Sequence, residues 1–175
     1  MGLPEIFISF QTAAVSAITR SARGVLAVAV KDATAGGAAE AAYKSLAEVP
    51  EDKFSPENYR LLKLAFLAAP SKVWVLRVGE DAEKTYQALE RLRFDWLAAP
   101  GLEDARVMSF IKPLRTGGRG VKAVVANATA PDCEGIVNLC VSGLTLEDGA
   151  VEAKDYAVRV AALLAALPLT RSATY

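Results

Sequence analysis

The side chains of this sequence that could act as nucleophiles, acids or bases are its hydroxyls, lysines, carboxylates and two cysteines; there is no histidine. The commonest general base and metal ligand is therefore missing, along with the only side chain whose unperturbed pKa lies near neutrality. Neither a Ser-His-Asp nor a Cys-His mechanism can operate within the chain. Ser142-Gly143 and Asp155 invite a search for a hydrolase, which would have to use a Ser-Lys arrangement. No serine sits in a nucleophile elbow. We expect no catalytic residues and no enzyme activity. No calcium-loop pattern is present, and two cysteines without histidine make a poor zinc site, so no metal or cofactor is expected.

Two further stretches suggest binding chemistry. Thr116-Gly117-Gly118-Arg119-Gly120-Val121-Lys122 superficially resembles a phosphate loop. Such a loop follows a strand and opens a helix, so that helix amides face the anion. This cluster follows a helical pattern and opens a strand, and it reads as a turn that uses the backbone freedom of glycine. Arg106, Lys112, Arg115, Arg119 and Lys122 form a basic run with no acid between Asp104 and Asp132. One reading is a solvated helix face and turn. The other is a surface for an acidic patch on a neighbouring molecule, with Glu80-Asp81-Glu83 and Glu147-Asp148-Glu152 as candidate partners. Complementary charge of this kind fixes register more than it adds affinity.

Nucleic acid is not an expected partner. The 20 basic and 20 acidic residues leave no net charge to displace counterions, and no aromatics interleave with the basic run. The apolar stretch Val160 to Leu169 is too short to span a bilayer, so no membrane is expected either. The first residues lack the features of a signal peptide, and Ile6 stands where a myristoylation signal needs Ser or Thr. Cys133 and Cys140, placed on one strand, would lie about 23 Å apart at the usual rise and face opposite sides. We expect two free, buried thiols, as suits a cytoplasmic assembly.

The elements that would position these groups follow from periodicity. At 175 residues and 53% hydrophobic, the chain suffices for one packed domain. No repeat or interdomain linker is visible. Glu5-Ile6-Phe7-Ile8-Ser9-Phe10 is β-branched and aromatic and reads as a strand after Pro4. Residues 24–30 form an apolar run of the kind buried on both faces of a sheet. Residues 38–47, rich in alanine, read as a helix. Ser55-Pro56 opens another helix that Pro70 ends, with Tyr59, Leu62 and Phe66 on one face. Residues 72–78 form a strand, Asp81 caps a helix to about Arg91, and residues 94–98 form a short strand. Residues 103–112 form a helix limited by Pro113. Residues 121–127 and 136–141 are strands, and residues 144–151 a hairpin. A last helix spans about residues 154–167, with Tyr156, Val160, Leu163, Leu164 and Leu167 as its inward stripe. This alternation predicts an α/β fold: a mostly parallel sheet with helices on both faces, plus the extended N-terminal strand.

Several segments, taken in order, resemble the tail sheath proteins of contractile phages, in the group whose core is subtilisin-like. They are Gly2-Leu3-Pro4 with Ile6, Ile8 and Phe10; Thr12-Ala13-Ala14; Arg20 and Arg23-Gly24-Val25; and Lys31-Asp32. Residues 94–101, 122–127 and 132–138 follow, and residues 161–175 are the most specific piece. The resemblance implies a subunit that polymerises around a tail tube, contracts during infection and meets a baseplate. It would be assembled in the bacterial host cytoplasm and reside in the virion tail sheath. It implies an arm at residues 1–20, whose strand Glu5 to Phe10 pairs with neighbouring subunits, and a core at residues 21–175. Family members continue beyond the segment matching Leu167 to Tyr175, so the C-terminal part of the core is expected to be absent. Sheaths of tailocins and other contractile injection systems are an alternative. A small-molecule-binding α/β domain is another, with ligands beyond the carboxyl ends of the strands near residues 31–37, 79–81, 100–101 and 127–131.

Overall fold

A computed structural model describes residues 24–126, 133–146 and 149–167. Its centre is β1 (Val25–Lys31), whose side chains alternate between two cores. Leu26, Val28 and Val30 enter one, and Ala27 and Ala29 enter the other. The apolar run predicted this two-sided burial, because a strand covered on both faces has no position left for a polar side chain.

The six-stranded sheet has the order β2-β3-β1-β4-β5-β6. Its remaining strands are β2 (Glu40–Tyr43), β3 (Lys72–Val78), β4 (Trp96–Ala98), β5 (Lys122–Val125) and β6 (Ile136–Asn138). All neighbours are parallel except β2, which runs antiparallel to β3 with Glu40 opposite Leu76 and Tyr43 opposite Val73. The predicted mostly parallel α/β fold is the observed one.

Four helices lie among the described residues. α1 (Pro56–Phe66) and α4 (Ala153–Ala166) cover one face. α2 (Ala82–Arg91) and α3 (Asp104–Thr116) cover the other. The Ser55 hydroxyl accepts the Asn58 N–H at 3.3 Å, and the Asp81 carboxylate accepts the Glu83 N–H at 3.0 Å. Both caps stand where the sequence placed them. A separate hairpin, β7 (Leu144–Leu146) and β8 (Gly149–Val151), packs Leu146 against the α1–α4 core.

Five expectations are corrected. Residues 38–47 are not a helix: β2 and a 3₁₀ turn, Leu46–Glu48, occupy them. Alanine favours helices only weakly, and here the backbone pairs with β3 while Tyr43 packs on the core. Pro113 does not end its helix but lies inside α3. It removes one amide, yet the next turn closes through Gly117 N–H to Pro113 O at 2.9 Å. The strands expected at 94–98, 121–127 and 136–141 are shorter, and β6 ends before Cys140. The cysteines therefore flank β6; both are free, but Cys133 is half-buried and Cys140 exposed.

The fifth correction concerns α4. Its inward face is Ala157, Val158, Ala161, Ala162 and Ala165, whereas Leu163 is 44% exposed. Small residues let the helix lie close across β1, β4 and β5. Of the expected stripe, Val160 and Leu164 are half-buried against the same core, and Leu163 is turned out to solvent. Residues 1–23, including the strand expected at Glu5 to Phe10, lie outside the described residues.

Candidate functional site

β1 leads out to β3 on one side, and the chain then crosses back to β4 on the other. This reversal opens a crevice at the carboxyl ends of β1 and β4, the position where open α/β sheets hold ligands. A cleft of about 660 Å³ lies there, lined by Lys31, Asp32, Glu80, Tyr86, Glu103 and Arg106 among others. Three of the four loops singled out from sequence meet near it; the fourth, 127–131, lies outside the described residues.

One carboxyl in the cleft, that of Asp32, is committed to structure. Asp32 accepts the N–H groups of Thr34 (2.9 Å) and Ser55 (2.9 Å) and the Asn58 side-chain amide (2.8 Å). Arg77 Nη1 lies 3.6 Å from it. Burial alone would raise the Asp32 pKa, but the bonds from Ser55, Thr34 and Asn58 outweigh it and hold the carboxyl far below its usual value. A carboxylate so occupied has little capacity to take a proton from a substrate.

Arg77 completes the knot. It donates to Thr34 O at 2.8 Å and to Lys53 O, and its guanidinium lies 4.6 Å from the centre of the Phe54 ring. The loop after β1, the turn before α1 and the end of β3 are thereby tied together. Sequence reasoning did not find this group. The available signal was a charged residue at the end of each of two adjacent buried strands, Asp32 after β1 and Arg77 within β3.

Tyr86 is different. It is only 5% exposed, and its hydroxyl has no hydrogen-bond partner among the described residues. Burial pushes the phenol pKa up, Arg106 opposes this, and Glu103, Glu83 and Asp104 reinforce it. Its ring packs on Phe110 at 5.1 Å between centroids, under the Arg106 guanidinium at 5.3 Å.

The basic run is divided by the fold. Arg106 lies in the first turn of α3 at the cleft, paired with Glu83 at 2.9 Å. Arg115 and Arg119 lie at the other end of the sheet. Arg115 pairs with Glu134 and donates to Val121 O at 3.1 Å. Arg119 donates to Glu90 O (2.9 Å) and Leu92 O (2.7 Å), closing the last turn of α2. Lys112 and Lys122 are exposed, with Lys122 Nζ 5.2 Å from the Trp96 ring centre. The glycine cluster is the expected turn, with Gly118 at φ +86°.

No nucleophile–base pair is assembled around Ser142 or Asp155 among the described residues. Ser142 is exposed before β7. Asp155 lies in the first turn of α4, where burial, then Glu152 and Glu57, push its carboxyl pKa up. Among the described residues, no three His, Cys, Asp or Glu side chains are grouped to hold a metal, and no helix is long and apolar enough to cross a membrane.

No family model matches the chain. It is 32% identical to the tail sheath protein of Clostridium phage phiCD119 over 191 aligned residues, which cover 99% of the chain. The chain spans about half, 51%, of that relative's length. Two solved structures share the fold. A sheath tail protein from Listeria innocua superposes with a TM-score of 0.71 at 16% identity, covering 91% of this chain and 61% of that one. A sheath tail protein from Desulfitobacterium hafniense gives 0.68 at 14% identity, covering 94% and 62%.

Proposed function

We propose that this chain, similar along nearly its whole length to a phage tail sheath protein, serves as part of a structural subunit in a contractile phage or prophage tail sheath. The observation that carries this reading is the 32% identity to a tail sheath protein across 99% of the chain. The shared fold of two sheath tail proteins supports it. In this reading the α/β unit is a rigid body. Its carboxylate at the crevice holds loops together, and the protein works by assembly without turning over a substrate.

Assembly would proceed by strand exchange. Ile6, Ile8 and Phe10 share one face of an extended strand, so residues 5–10 can pair with another subunit's sheet edge and bury alternate side chains. Head-to-tail pairing of this kind does not close on itself and produces helical filaments. A joint near residues 19–24 would let the core rotate while arms stay paired, and the lattice would shorten during injection. Other sheath subunits, the tail tube protein and the baseplate are the proposed partners, with assembly in the bacterial cytoplasm and residence in the virion tail.

Deleting residues 1–12 from the full gene product tests this. Negative-stain microscopy is expected to show tubes for the intact protein and none for the deletion, while circular dichroism of the deletion remains that of a folded core. Normal tubes from the deletion would overturn the arm. The crevice keeps a ligand-binding reading open to test; saturable nucleotide binding by calorimetry would favour it.

A further inference from the structure

The chain enters the described fold at Gly24, where every backbone donor and acceptor of Gly24 and Val25 is bonded. The Gly24 N–H donates to Ala165 O at 2.6 Å, in the last turn of α4. The Gly24 carbonyl accepts from Ser71, just before β3, through its N–H at 3.2 Å and its hydroxyl at 3.0 Å. The Val25 N–H donates to Asp95 Oδ2 at 2.7 Å, and the Asp95 N–H, just before β4, returns a bond to Val25 O at 2.9 Å. A β-carbon on residue 24 would stand 3.0 Å from Asp95 Oδ2 and 3.2 Å from Ala165 O, so this socket closes on a glycine.

The end of a strand ordinarily frays at little cost. Here two side chains outside both cores hold it: Asp95 is exposed and Ser71 half-buried. The turn that delivers Ser71 is itself strained. Ala69, between α1 and β3, has a φ of +52°, in the left-handed region that a β-carbon disfavours. Such strain persists only where the surrounding structure over-determines it. The bonds of Ser71 to Gly24 are part of that surrounding structure.

We propose that Gly24 is the fixed root of the N-terminal arm. Residues 1–23 leave the core from a socket formed by Ser71, Asp95 and the Ala165 carbonyl, and the joint that strand exchange needs lies wholly before Gly24. This role rests on the arm reading for the load, while the socket consists of described residues alone. A pull arriving at Gly24 is shared among α4, β3 and β4, and does not peel β1 away from its end one bond at a time. Ser71 and Asp95 act as positioning residues, holding the root while the arm moves.

Amide hydrogen exchange of this chain, followed by NMR, tests the root. In the wild type the Gly24, Val25 and Ser71 amides should be protected like those in the middle of β1. Asp95→Ala should make the Val25 amide exchange at least about tenfold faster and leave the middle of β1 unchanged. Asp95→Asn keeps an acceptor oxygen and should restore most of the protection. Wild-type Gly24 and Val25 amides that exchange like those of an unfolded chain would overturn the proposal, and this reading needs no variant to fold. So would an Asp95→Ala variant in which the whole of β1 loses protection together.

Tubes of the full gene product test the role. Two serines inserted between Arg23 and Gly24 lengthen the joint and leave the socket whole, so tubes should form as in the wild type. Ser71→Ala with Asp95→Ala keeps the length and opens the socket; tubes should be lost while circular dichroism remains that of a folded core. Loss of tubes on insertion, or normal tubes from the opened socket, would overturn the proposal. If the 1–12 deletion forms normal tubes, the arm reading fails whatever exchange shows. If that deletion forms none and the opened socket assembles normally, the arm reading stands and the fixed root fails.

Discussion

The guanidinium of Arg77 occupies the space in which a β-carbon on residue 37 would lie, so residue 37 must be glycine for Arg77 to reach the loops it ties. Gly37→Ala should push the guanidinium away from Asp32, Thr34 O and Lys53 O. Loss of these bonds should lower stability by about 1–3 kcal/mol, read from urea unfolding. Unchanged stability would mean that Arg77 contributes little to holding the loops.

Asp32 makes the fold sensitive to acid. Its folded pKa is depressed, so the unfolded chain takes up the proton first as pH falls. The stabilisation is fully present above the unfolded value near 3.8 and declines as pH drops below it toward the lower folded value. Asp32→Ala should cost about 3–5 kcal/mol at neutral pH, because it strands the buried Arg77 charge. The gap between wild type and variant should narrow in unfolding curves recorded below about pH 3.5. A constant gap across that range would remove Asp32 as the source.

Gly101 approaches β1 at the crevice. A β-carbon there would meet Lys31 N at 2.6 Å and the Val30 carbonyl carbon at 2.8 Å, and the Gly101 N–H is bonded to Ala29 O at 2.9 Å. Backbone cannot step aside as a side chain can. Gly101→Ala should destabilise by about 1–3 kcal/mol, lowering the melting temperature by roughly 2–4 °C per kcal/mol for a chain of this size. A variant melting with the wild type would show that the loop relaxes freely.

The orientation of α4 can be checked by contrast. Ala161 is fully buried and Leu163 is 44% exposed. Ala161→Leu should overpack the interface with the sheet and cost about 1–3 kcal/mol, whereas Leu163→Ala should stay within about 0.5 kcal/mol of the wild type. The reverse order, measured by thermal unfolding, would restore the leucine stripe as the inward face.

Thiol accessibility separates the cysteines. Cys140 should react with an aromatic disulfide reagent under native conditions at close to the rate of a free thiol, with half-buried Cys133 slower. Equal slow reaction of both would return them to the core.

Much of the fold was legible because it depends on local chemistry. The apolar run at 24–30 is short and rich in valine, which favours a strand covered on both faces. Ser55-Pro56 and Asp81 can cap helices without help from distant residues. Alternation of such elements favours parallel pairing, which every strand of the sheet except β2 adopts. The missing histidine limits the chemistry through composition alone.

What depended on partners distant in sequence was not legible. The alanine-rich segment 38–47 has no local reason to be a strand; β3 beside it supplies one. On α4 both the alanine face and the leucine face are apolar, and the closeness of the sheet selects the smaller residues. The basic run is continuous in sequence, yet a helix running the height of the sheet carries Arg106 to one end and Arg115 to the other. Asp32 and Arg77 are far apart in the chain and meet only because β1 and β3 are neighbours. Periodicity and capping act within one element, so sequence by itself determined the elements and their class. Register, the choice of face and the pairing of charges require two elements in contact, and those the tertiary structure decided.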